Sequence, residues 1–567
     1  MKILSMNKAI VLGVALLLFV GARTTHAQSV TVTLSNEKQV IRGFGGMNCP
    51  LWVGDLTAAQ RTTAFGNGTG QIGMSVMRMI IDKDKSNWSK EVATAKRAIE
   101  LGAIVFATPW NPPDSMCDSS GVDSKGNPKK HLKPSSYGSY VTFLNDFYTY
   151  MKNNGVTLYA ESIQNEPDYA YTWTWMSPTE IHNFMVNNAG SLIAPRVITP
   201  ESFSYDKTYY DQLLNDPKAL ANFEIVGAHT YGTPYGNFPY PLFTQKGAGK
   251  DLWMTEVYYP NSDANSADLW PSSLDVATHI HYAMTQGNFQ AYVWWYIRRQ
   301  YSPMKEDGTM SKRGDCMAHF SKFVRPGAIR VNADTLPTAG VHVSAYKNGS
   351  DVILVVVNTN TSAKTLNVSI PGTSINSLTK YTTSATKSVG NDGTVAATNG
   401  TFSASFDAQS VTTLVYTAPA GSSSSSKIVS SSSVAVSSVA VSSVAVSSVA
   451  ASSSSKQSSS SAAISSSSSV SIIIINVSSA NVTTSYSSNS NPVMILEESG
   501  LDFTSEMGVC NIYSLTGKML GSVNLSSGTN MREQVGRFVK QTGIYLVKSQ
   551  DGRRIYRVAV MEKNSQR

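Results

Sequence analysis

Two glutamates at the ends of short apolar segments are the residues best placed to do chemistry in this chain. Glu166 belongs to an Asn-Glu-Pro sequence at residues 165–167, and Glu256 ends a Trp-Met-Thr-Glu sequence at residues 253–256. A pair of carboxyl groups is what hydrolysis of a glycosidic bond requires, since one protonates the leaving oxygen and the other attacks the anomeric carbon or activates water. Most glutamates are solvated surface charges, so the prediction depends on finding both at matching places in one fold.

The segments that carry these glutamates belong to a regular alternation of apolar runs and amphipathic stretches. Continuous apolar strands separated by amphipathic helices are typical of a parallel sheet that is covered on both faces. About eight such units predict an α/β fold, the (β/α)8 TIM barrel, whose functional residues lie at the carboxyl ends of the strands. Glu166 follows the fourth expected strand and Glu256 ends the seventh. The eight expected strands are 41–48, 74–81, 103–108, 157–163, 196–200, 224–229, 251–256 and 289–295.

The parts of the chain around the barrel differ from it in composition. Strand-like segments without helices predict a side β-sandwich at residues 327–418; residues 28–45 supply its first strands, and the barrel occupies 46–326. Residues 419–490 are rich in serine and repeat a Ser-Ser-Val-Ala-Val sequence, so they bury too little apolar surface to fold and form a disordered linker. Residues 491–567 return to a globular composition, which predicts a small β-rich C-terminal domain.

The first 27 residues have the pattern of a secretory signal peptide. Lys2 and Lys8 form a positive flank, an apolar run extends from Ala9 to Val20, and small residues precede Gln28. The alternative is a membrane anchor, but the run is shorter than the roughly 20 apolar residues that span a bilayer. We therefore expect cleavage after residue 27 and export of the protein.

Charge and cysteine content argue against several other classes of protein. The chain has a net charge of +8, but residues 28–418 contain 31 basic and 31 acidic residues, so no net field attracts a nucleic acid to them. The four cysteines include no Cys-x-x-Cys pair, and we expect no metal site and no organic cofactor. Cys49 and Cys117 are candidates either for a disulfide bond or for buried free thiols.

Several motifs of the predicted barrel resemble glycoside hydrolase family 30. They are Arg-Gly-Phe-Gly-Gly-Met-Asn at 42–48, Pro-Trp-Asn-Pro-Pro at 109–113 and Gln-Asn-Glu-Pro-Asp at 164–168. The Trp-Trp-Tyr-Ile-Arg-Arg sequence at 294–299 is similar to the bacterial glucuronoxylanase branch of that family. The resemblance covers residues 28–418. It implies that Glu166 is the acid/base and Glu256 the nucleophile of a retaining double displacement, with carboxyl groups about 5–5.5 Å apart.

Other residues near the expected strand ends are candidates to bind the substrate or to support Glu166 and Glu256. Asn165 is placed to hydrogen-bond the sugar 2-hydroxyl, and Tyr231 to donate to the nucleophile and keep it ionised. Arg78 is expected to help in the same way, with a structural salt bridge as the alternative. Trp110 and Trp175 offer flat faces on which pyranose rings stack, unless they pack as core residues.

The resemblance also assigns residues that select the substrate. The glucuronoxylanase branch recognises the glucuronic acid substituent of xylan with an arginine after the eighth strand, because a planar guanidinium pairs with a carboxylate through two hydrogen bonds. The family pattern falls on Trp295, Arg299 and Tyr301, whereas a register shifted by one would select Arg298. The remaining uronate contacts of the branch fall on Tyr258 and Ser262.

The C-terminal segment carries a separate resemblance. Its sequences at 511–518, 543–548 and 553–558 resemble the β-sandwich sorting domains of secreted bacterial enzymes, of the kind used in type IX secretion. The resemblance implies that the secretion machinery is a partner. The alternative is a β-domain that binds polysaccharide or the cell surface.

Taken together, the residues and the resemblance predict a secreted or cell-surface bacterial enzyme. It would be a retaining endo-β-1,4-xylanase that cleaves glucuronoxylan as directed by the (4-O-methyl)glucuronic acid branch. One alternative is another family 30 activity, either a xylanase that does not require the uronate or a β-glucanase. The other is a non-catalytic carbohydrate-binding protein, which would have no need of both Glu166 and Glu256.

Overall fold

A computed structural model of the chain describes residues 28–122, 128–169 and 173–419, together with five strands between residues 493 and 560. Contacts divide the chain into two compact units, Met1–Ser423 and Ser424–Arg567. The predicted signal peptide lies outside the described residues, and so does the serine-rich linker apart from its first residue. No helix in the described part has both the length and the apolar character that crossing a bilayer demands.

Eight parallel strands of the first unit close into a barrel, which confirms the predicted (β/α)8 fold. The strands as far as the end of the barrel are β1 (Gln28–Val40), β2 (Gly43–Met47), β3 (Val76–Ile81), β4 (Ile104–Pro109), β5 (Cys117–Val122), β6 (Pro128–Leu132), β7 (Ala160–Ser162), β8 (Val197–Ile198), β9 (Ile225–His229), β10 (Asp251–Val257) and β11 (Ala291–Tyr296). The barrel consists of β2, β3, β4 and β7 to β11, and β11 pairs with β2 to close it. The strands β3, β9 and β10 are buried along their whole length, as expected for a sheet covered on both sides.

The interior of the barrel is filled by apolar side chains below the functional end. The rings of Phe106 on β4 and Trp253 on β10 meet at 5.8 Å although their strands are not neighbours, so they pack across the interior. On β2, a Cβ at Gly45 would collide with the backbone of Val76 on β3, so only glycine permits this close pairing. The packed interior leaves the polar residues at the carboxyl ends of the strands to form a site.

Helices surround the barrel, and two of them begin with a capping box. The Thr57 side chain and Gln60 cap one, and Ser177 and Glu180 cap another, each by exchanging two hydrogen bonds that satisfy free backbone N–H groups. The helices are α1 (Pro50–Val53), α2 (Ala58–Phe65), α3 (Val92–Glu100), α4 (Tyr137–Asn153), α5 (Pro178–Asn187), α6 (Thr208–Asn215), α7 (Pro217–Leu220), α8 (Pro241–Lys246), α9 (Leu274–Thr285) and α10 (Lys312–Ser321).

An antiparallel hairpin, β5–β6, follows the third barrel strand and was not part of the sequence prediction. Cys117 begins this hairpin, whereas Cys49 precedes α1, and both are free thiols in the structure. Burial raises the pKa of the Cys49 thiol, which keeps it protonated. Of the two possibilities for these cysteines, the structure has the unpaired one.

The side β-domain contains nine strands, of which β1 is the first. The others are β12 (Ile329–Ala333), β13 (Val341–Asn348), β14 (Asp351–Asn358), β15 (Lys364–Ser369), β16 (Ser377–Thr383), β17 (Gly390–Ala396), β18 (Thr401–Phe406) and β19 (Ser410–Tyr416). The long β1 connects two layers, because residues 28–31 pair with β15 and residues 32–40 pair with β12. The expected boundary between residues 45 and 46 falls inside β2, so the barrel begins at Gly43, where the backbone starts to pair with β11.

The second unit contains a five-stranded antiparallel sheet. Its strands are β20 (Val493–Leu496), β21 (Gly508–Ser514), β22 (Met519–Leu525), β23 (Gly543–Ser549) and β24 (Ile555–Val560), in the order β20-β24-β23-β21-β22. The segments between these strands lie outside the described residues.

Candidate active site

The two glutamates selected from the sequence lie close together at the carboxyl end of the barrel. Glu166 follows β7, Glu256 lies near the end of β10, and both side chains are buried. One carboxylate oxygen of each glutamate and one ring nitrogen of His229 all lie within 4.8 Å of one another. Retaining glycosidases hold their carboxyl groups about 5–5.5 Å apart and inverting ones about 6.5–9.5 Å. The spacing therefore fits a retaining reaction.

The backbone at Glu166 adopts an uncommon conformation. Its φ of 40° lies in the left-handed region, which costs a residue other than glycine on the order of 1–3 kcal/mol. Backbone hydrogen bonds to neighbouring strand ends stabilise it. The N–H of Glu166 donates to the carbonyl of Glu201 at 2.9 Å, and the N–H of Asn165 donates to the carbonyl of Pro109 at 2.9 Å. These bonds hold the carboxyl group in place without any contribution from a substrate.

Arg78, on β3, is fully buried and binds three residues of the site. Its guanidinium donates to the carboxylate of Glu256 and, at 2.7 Å, to Asn165 Oδ1, and it forms an ion pair of 2.9 Å with Glu201. Burial by itself would lower the pKa of Arg78, but Glu201 and Glu256 raise it above its ordinary value, so the guanidinium stays charged. The contact with the nucleophile predicted for Arg78 and the salt bridge considered as its alternative are thus one interaction, between Arg78 and Glu256.

Asn165 presents an unpaired donor beside the carboxyl pair. Its Oδ1 is occupied by Arg78, while its buried Nδ2 has no hydrogen-bond partner within the described residues. Leaving a buried donor unpaired costs about 1–3 kcal/mol, which a hydroxyl group of a bound sugar would recover. This arrangement is the one expected of a residue that binds the 2-hydroxyl.

Behind the carboxyl pair lies a charged network that the sequence prediction missed. His229, at the end of β9, places Nδ1 2.8 Å from Glu166 Oε1 and Nε2 3.2 Å from Glu201 Oε2. Burial would lower the pKa of His229, but the charge of Glu256 and the hydrogen bonds to Glu166 and Glu201 raise it to about 9. For Glu201, burial is opposed by Arg78 and His229, which lower its pKa to about 2. His229 ends β9 and Glu201 lies shortly after β8, so the rule that selected Glu166 could also have found them.

Glu166, His229 and Glu256 also have a spacing that would suit a metal ion. Metal binding requires a neutral imidazole with a free lone pair. The ring of His229 faces a carboxylate at each nitrogen and carries a raised pKa, so both nitrogens are protonated and donate hydrogen bonds. The residues present therefore suit a charge network better than a metal site.

The two glutamates have different surroundings. Burial and the nearby charge of Glu256 raise the pKa of Glu166 to about 7, although His229 opposes the shift. Glu256 receives hydrogen bonds from Arg78 and, at 2.8 Å, from the hydroxyl of Tyr231. These two donors orient the carboxylate of Glu256. Glu166 is thus suited to donate a proton, and Glu256 is held in position to attack.

Aromatic rings form a cluster beside the carboxyl pair. Trp110 lies 4.6 Å from the guanidinium of Arg78, and its ring is 5.4 Å from Trp52 and 5.9 Å from Trp295. Trp52 and Trp173, which belong to the same region, were not selected from the sequence. The predicted Trp175 makes no ring contact with this cluster. The backbone of Trp175 pairs instead with β6 of the hairpin β5–β6.

The two arginines after β11 occupy different surroundings. The guanidinium of Arg298 donates to the carbonyl of Val53 at 2.6 Å and to Gln60 at 2.9 Å, so it is committed to the chain around α1 and α2. The side chain of Arg299 is 32% exposed, lies 5.3 Å from the ring of Tyr296 and makes one hydrogen bond among the described residues, to the exposed Glu306. Arg299 therefore keeps donors for a ligand, which favours the predicted register.

The remaining residues proposed to bind the uronate lie next to one another. Tyr258 is 4.9 Å from Tyr231 and 5.8 Å from Tyr301, measured between ring centroids. The hydroxyl of Tyr258 shares a hydrogen bond with Ser262, which partly offsets the effect of burial in raising the tyrosine pKa. The tertiary structure thus connects Tyr258 and Tyr301 to Glu256 through Tyr231.

Comparison with known proteins places this site in a family. No family model matches the chain. Glucuronoxylanase XynC of Bacillus subtilis strain 168 is 57% identical over 389 residues, which cover 69% of this chain and 92% of that protein. The chain belongs to glycoside hydrolase family 30. The crystal structure of a family 30 endoxylanase from Clostridium papyrosolvens C71 is 40% identical to this family 30 enzyme, with a TM-score of 0.65 over 69% of this chain and 100% of that one.

A second solved structure supports the same placement. The family 30 subfamily 8 xylanase Xyn30A of Clostridium acetobutylicum is 33% identical, with a TM-score of 0.61 over 68% of this chain and 99% of that one. The family membership makes this chain a glycoside hydrolase. Both comparisons match about two thirds of the chain, which is the share taken by the barrel and the side β-domain.

Proposed function

We propose that this family 30 member is a retaining endo-β-1,4-xylanase that cleaves glucuronoxylan and recognises its (4-O-methyl)glucuronic acid branch. The observation that carries the proposal is the pair of arginines after β11. Arg298 is held by the carbonyl of Val53 and by Gln60, whereas the guanidinium of Arg299 lies beside the ring of Tyr296 and keeps N–H donors that its bond to Glu306 does not use. A guanidinium with free donors is the group that binds a carboxylate most selectively. The relative named glucuronoxylanase XynC supports the same substrate.

The first step of the reaction breaks the glycosidic bond. The carboxylate of Glu256 attacks the anomeric carbon while Glu166 passes its proton to the leaving oxygen, so a covalent glycosyl ester forms and the leaving chain departs as an alcohol. Arg78 and Tyr231 donate hydrogen bonds to the attacking carboxylate and orient it. Asn165 donates to the 2-hydroxyl, a hydrogen bond that strengthens as the transition state forms.

The second step releases the sugar with its original configuration. Glu166, now ionised, accepts a proton from water as the water oxygen attacks the anomeric carbon and displaces Glu256. His229 donates to Glu166 at 2.8 Å and stabilises its anionic form during this half of the reaction. The cycle ends with Glu166 protonated and Glu256 ionised, as at the start.

Analysis of the products from two polymers tests the proposal. The wild-type enzyme should cut glucuronoxylan into fragments that each carry one branch and should cut unsubstituted xylan far more slowly, and NMR should find the anomeric configuration retained. The Glu256→Gln variant should lose several orders of magnitude in turnover. Equal cleavage of both polymers would show an enzyme that ignores the branch. Hydrolysis of β-glucan alone would favour the glucanase alternative, and binding without hydrolysis the carbohydrate-binding one.

We further propose that the enzyme is exported and that its C-terminal domain acts outside catalysis. The sequence pattern of residues 1–27 supports removal of a signal peptide. The resemblance of residues 511–558 to sorting domains supports recognition by a secretion machinery or attachment to the cell surface. The effect of removing this domain on catalysis and on location tests the proposal.

A further inference from the structure

A cavity lies at the opposite end of the barrel from the carboxyl pair. It has a volume of about 370 Å³ and opens among the start of β10, the residue before β11 and the loops that follow α8 and α9. Ligand sites in proteins have volumes of about 300–1,000 Å³, so this one is large enough for a short segment of sugar. In a (β/α)8 barrel this end does not normally carry the reaction.

The cavity is lined by hydrogen-bond donors and by no acidic residue. Lys38 is exposed, and its ammonium has no hydrogen-bond or ion-pair partner in the described part of the chain. Lys250 uses its ammonium for one bond of 2.5 Å, to the carbonyl of Phe223, and so keeps further N–H donors. The Oδ1 of Asn288 accepts from Arg330 at 2.7 Å, which leaves the Nδ2 of that asparagine free. Three donors, two of them cationic, therefore line the cavity without a matching negative charge.

An aromatic wall completes the cavity. The half-buried ring of Phe243 lies nearly parallel to that of Tyr240, with 22° between the ring planes. Gly247 is packed against Phe243, and a Cβ at this glycine would lie only 2.6 Å from the ring. A fixed ring beside a few oriented donors is the combination found in sites for polar ligands that have one apolar face. A pyranose ring has such a face.

We propose that this cavity binds a uronic acid branch of xylan and so forms a second polysaccharide site, remote from the catalytic one. The charge of the ligand follows from the lining, because cationic donors without acids favour a carboxylate over a neutral sugar. Because residues 28–418 have a net charge of zero, attraction of an acidic polymer to this unit depends on local groups such as these. The choice of xylan rests on the proposed function.

Affinity electrophoresis of the full chain in gels that contain glucuronoxylan tests this site. All proteins carry Glu256→Gln and Arg299→Ala, so that neither hydrolysis nor the catalytic uronate contact contributes to retention. Lys38→Glu is compared with Lys152→Glu, which makes the same charge change at an exposed lysine of α4. Asn288→Gly is the second variant, because the φ of 50° at this position suits glycine. Melting temperatures check that each variant is folded.

The proposal predicts that Lys38→Glu and Asn288→Gly each raise the Kd for glucuronoxylan about tenfold, as expected for the loss of one charge-assisted hydrogen bond. Lys152→Glu should leave the Kd unchanged. Retention in gels of unsubstituted xylan should be the same for all variants. Equal retention of Lys38→Glu and Lys152→Glu would overturn the site, and equal losses in both polymers would overturn its preference for the uronate. The proposed function is judged separately, by whether the wild-type enzyme hydrolyses glucuronoxylan.

Discussion

Glu166 and Glu256 have identical side chains but different neighbours, and those of Glu166 raise its pKa. With its pKa raised to about 7, Glu166 is protonated below that pH and loses its proton as the pH rises through it. Because the first step needs this proton, we predict that kcat/KM falls on the alkaline side with an apparent pKa near 7. A pH–rate profile on a short xylan fragment measures this. In Glu166→Gln the alkaline limb should vanish, while the first step on an activated aryl xyloside persists.

The adjacent residues Arg298 and Arg299 allow the substrate specificity of the enzyme to be tested with matched variants. Replacing Arg299 with Ala removes charge-assisted hydrogen bonds to the uronate, and we predict a loss of about 10²-fold in kcat/KM on glucuronoxylan, corresponding to about 3 kcal/mol. Cleavage of unsubstituted xylan should barely change. Arg299→Lys should restore only part of the loss, because an ammonium lacks the bidentate geometry. A selective loss in Arg298→Ala instead would mean that the register assigned here is wrong.

At the scale of elements, one histidine connects the last barrel helix with the side β-domain. His319 on α10 places Nδ1 2.8 Å from the hydroxyl of Thr413 and Nε2 2.9 Å from that of Thr383. Burial lowers the pKa of His319 to about 3. Its folded pKa thus lies below the unfolded value of about 6.5, and the stability it contributes is present above pH 6.5 and is lost as the pH falls toward 3.

This contact predicts a pH dependence of stability. In His319→Gln the decrease in melting temperature between pH 7 and pH 4 should be smaller than in the wild type, because a group that must be protonated on unfolding is gone. At pH 7 the variant should be less stable by about 1–3 kcal/mol, since a glutamine cannot serve both threonines. Thermal unfolding at several pH values measures both effects, and an unchanged acid slope would refute the assignment.

At the scale of the whole molecule, we expect catalysis and cellular targeting to depend on separate parts of the chain. The carboxyl pair, its network and the proposed uronate residues all belong to the unit that ends at Ser423. We therefore predict that a chain truncated after residue 420 hydrolyses glucuronoxylan with nearly the wild-type kcat/KM but no longer reaches the same cellular location. Cell fractionation with activity assays tests both parts, and loss of soluble activity on truncation would contradict the prediction.

The sequence by itself determined the barrel, the side domain and the carboxyl pair. These follow from local patterns, since apolar periodicity marks strands and helices and a residue just after a strand must lie at the functional end. The same local patterns also predicted Asn165 and Tyr231 as site residues, because each lies close to the end of such a strand. The unpredicted hairpin β5–β6 lacks the continuous apolar pattern of the barrel strands, so its sequence did not stand out.

Only the tertiary structure decided how these residues act on one another. Arg78 and Glu256 are 178 positions apart, and no local pattern encodes that the guanidinium also pairs with Glu201. The proposed choice between Arg298 and Arg299 likewise depends on a carbonyl 245 positions away, which binds Arg298 but not Arg299. Protonation states, donor availability and specificity are properties of three-dimensional neighbourhoods, and such neighbourhoods arise from contacts between positions that are remote in the chain.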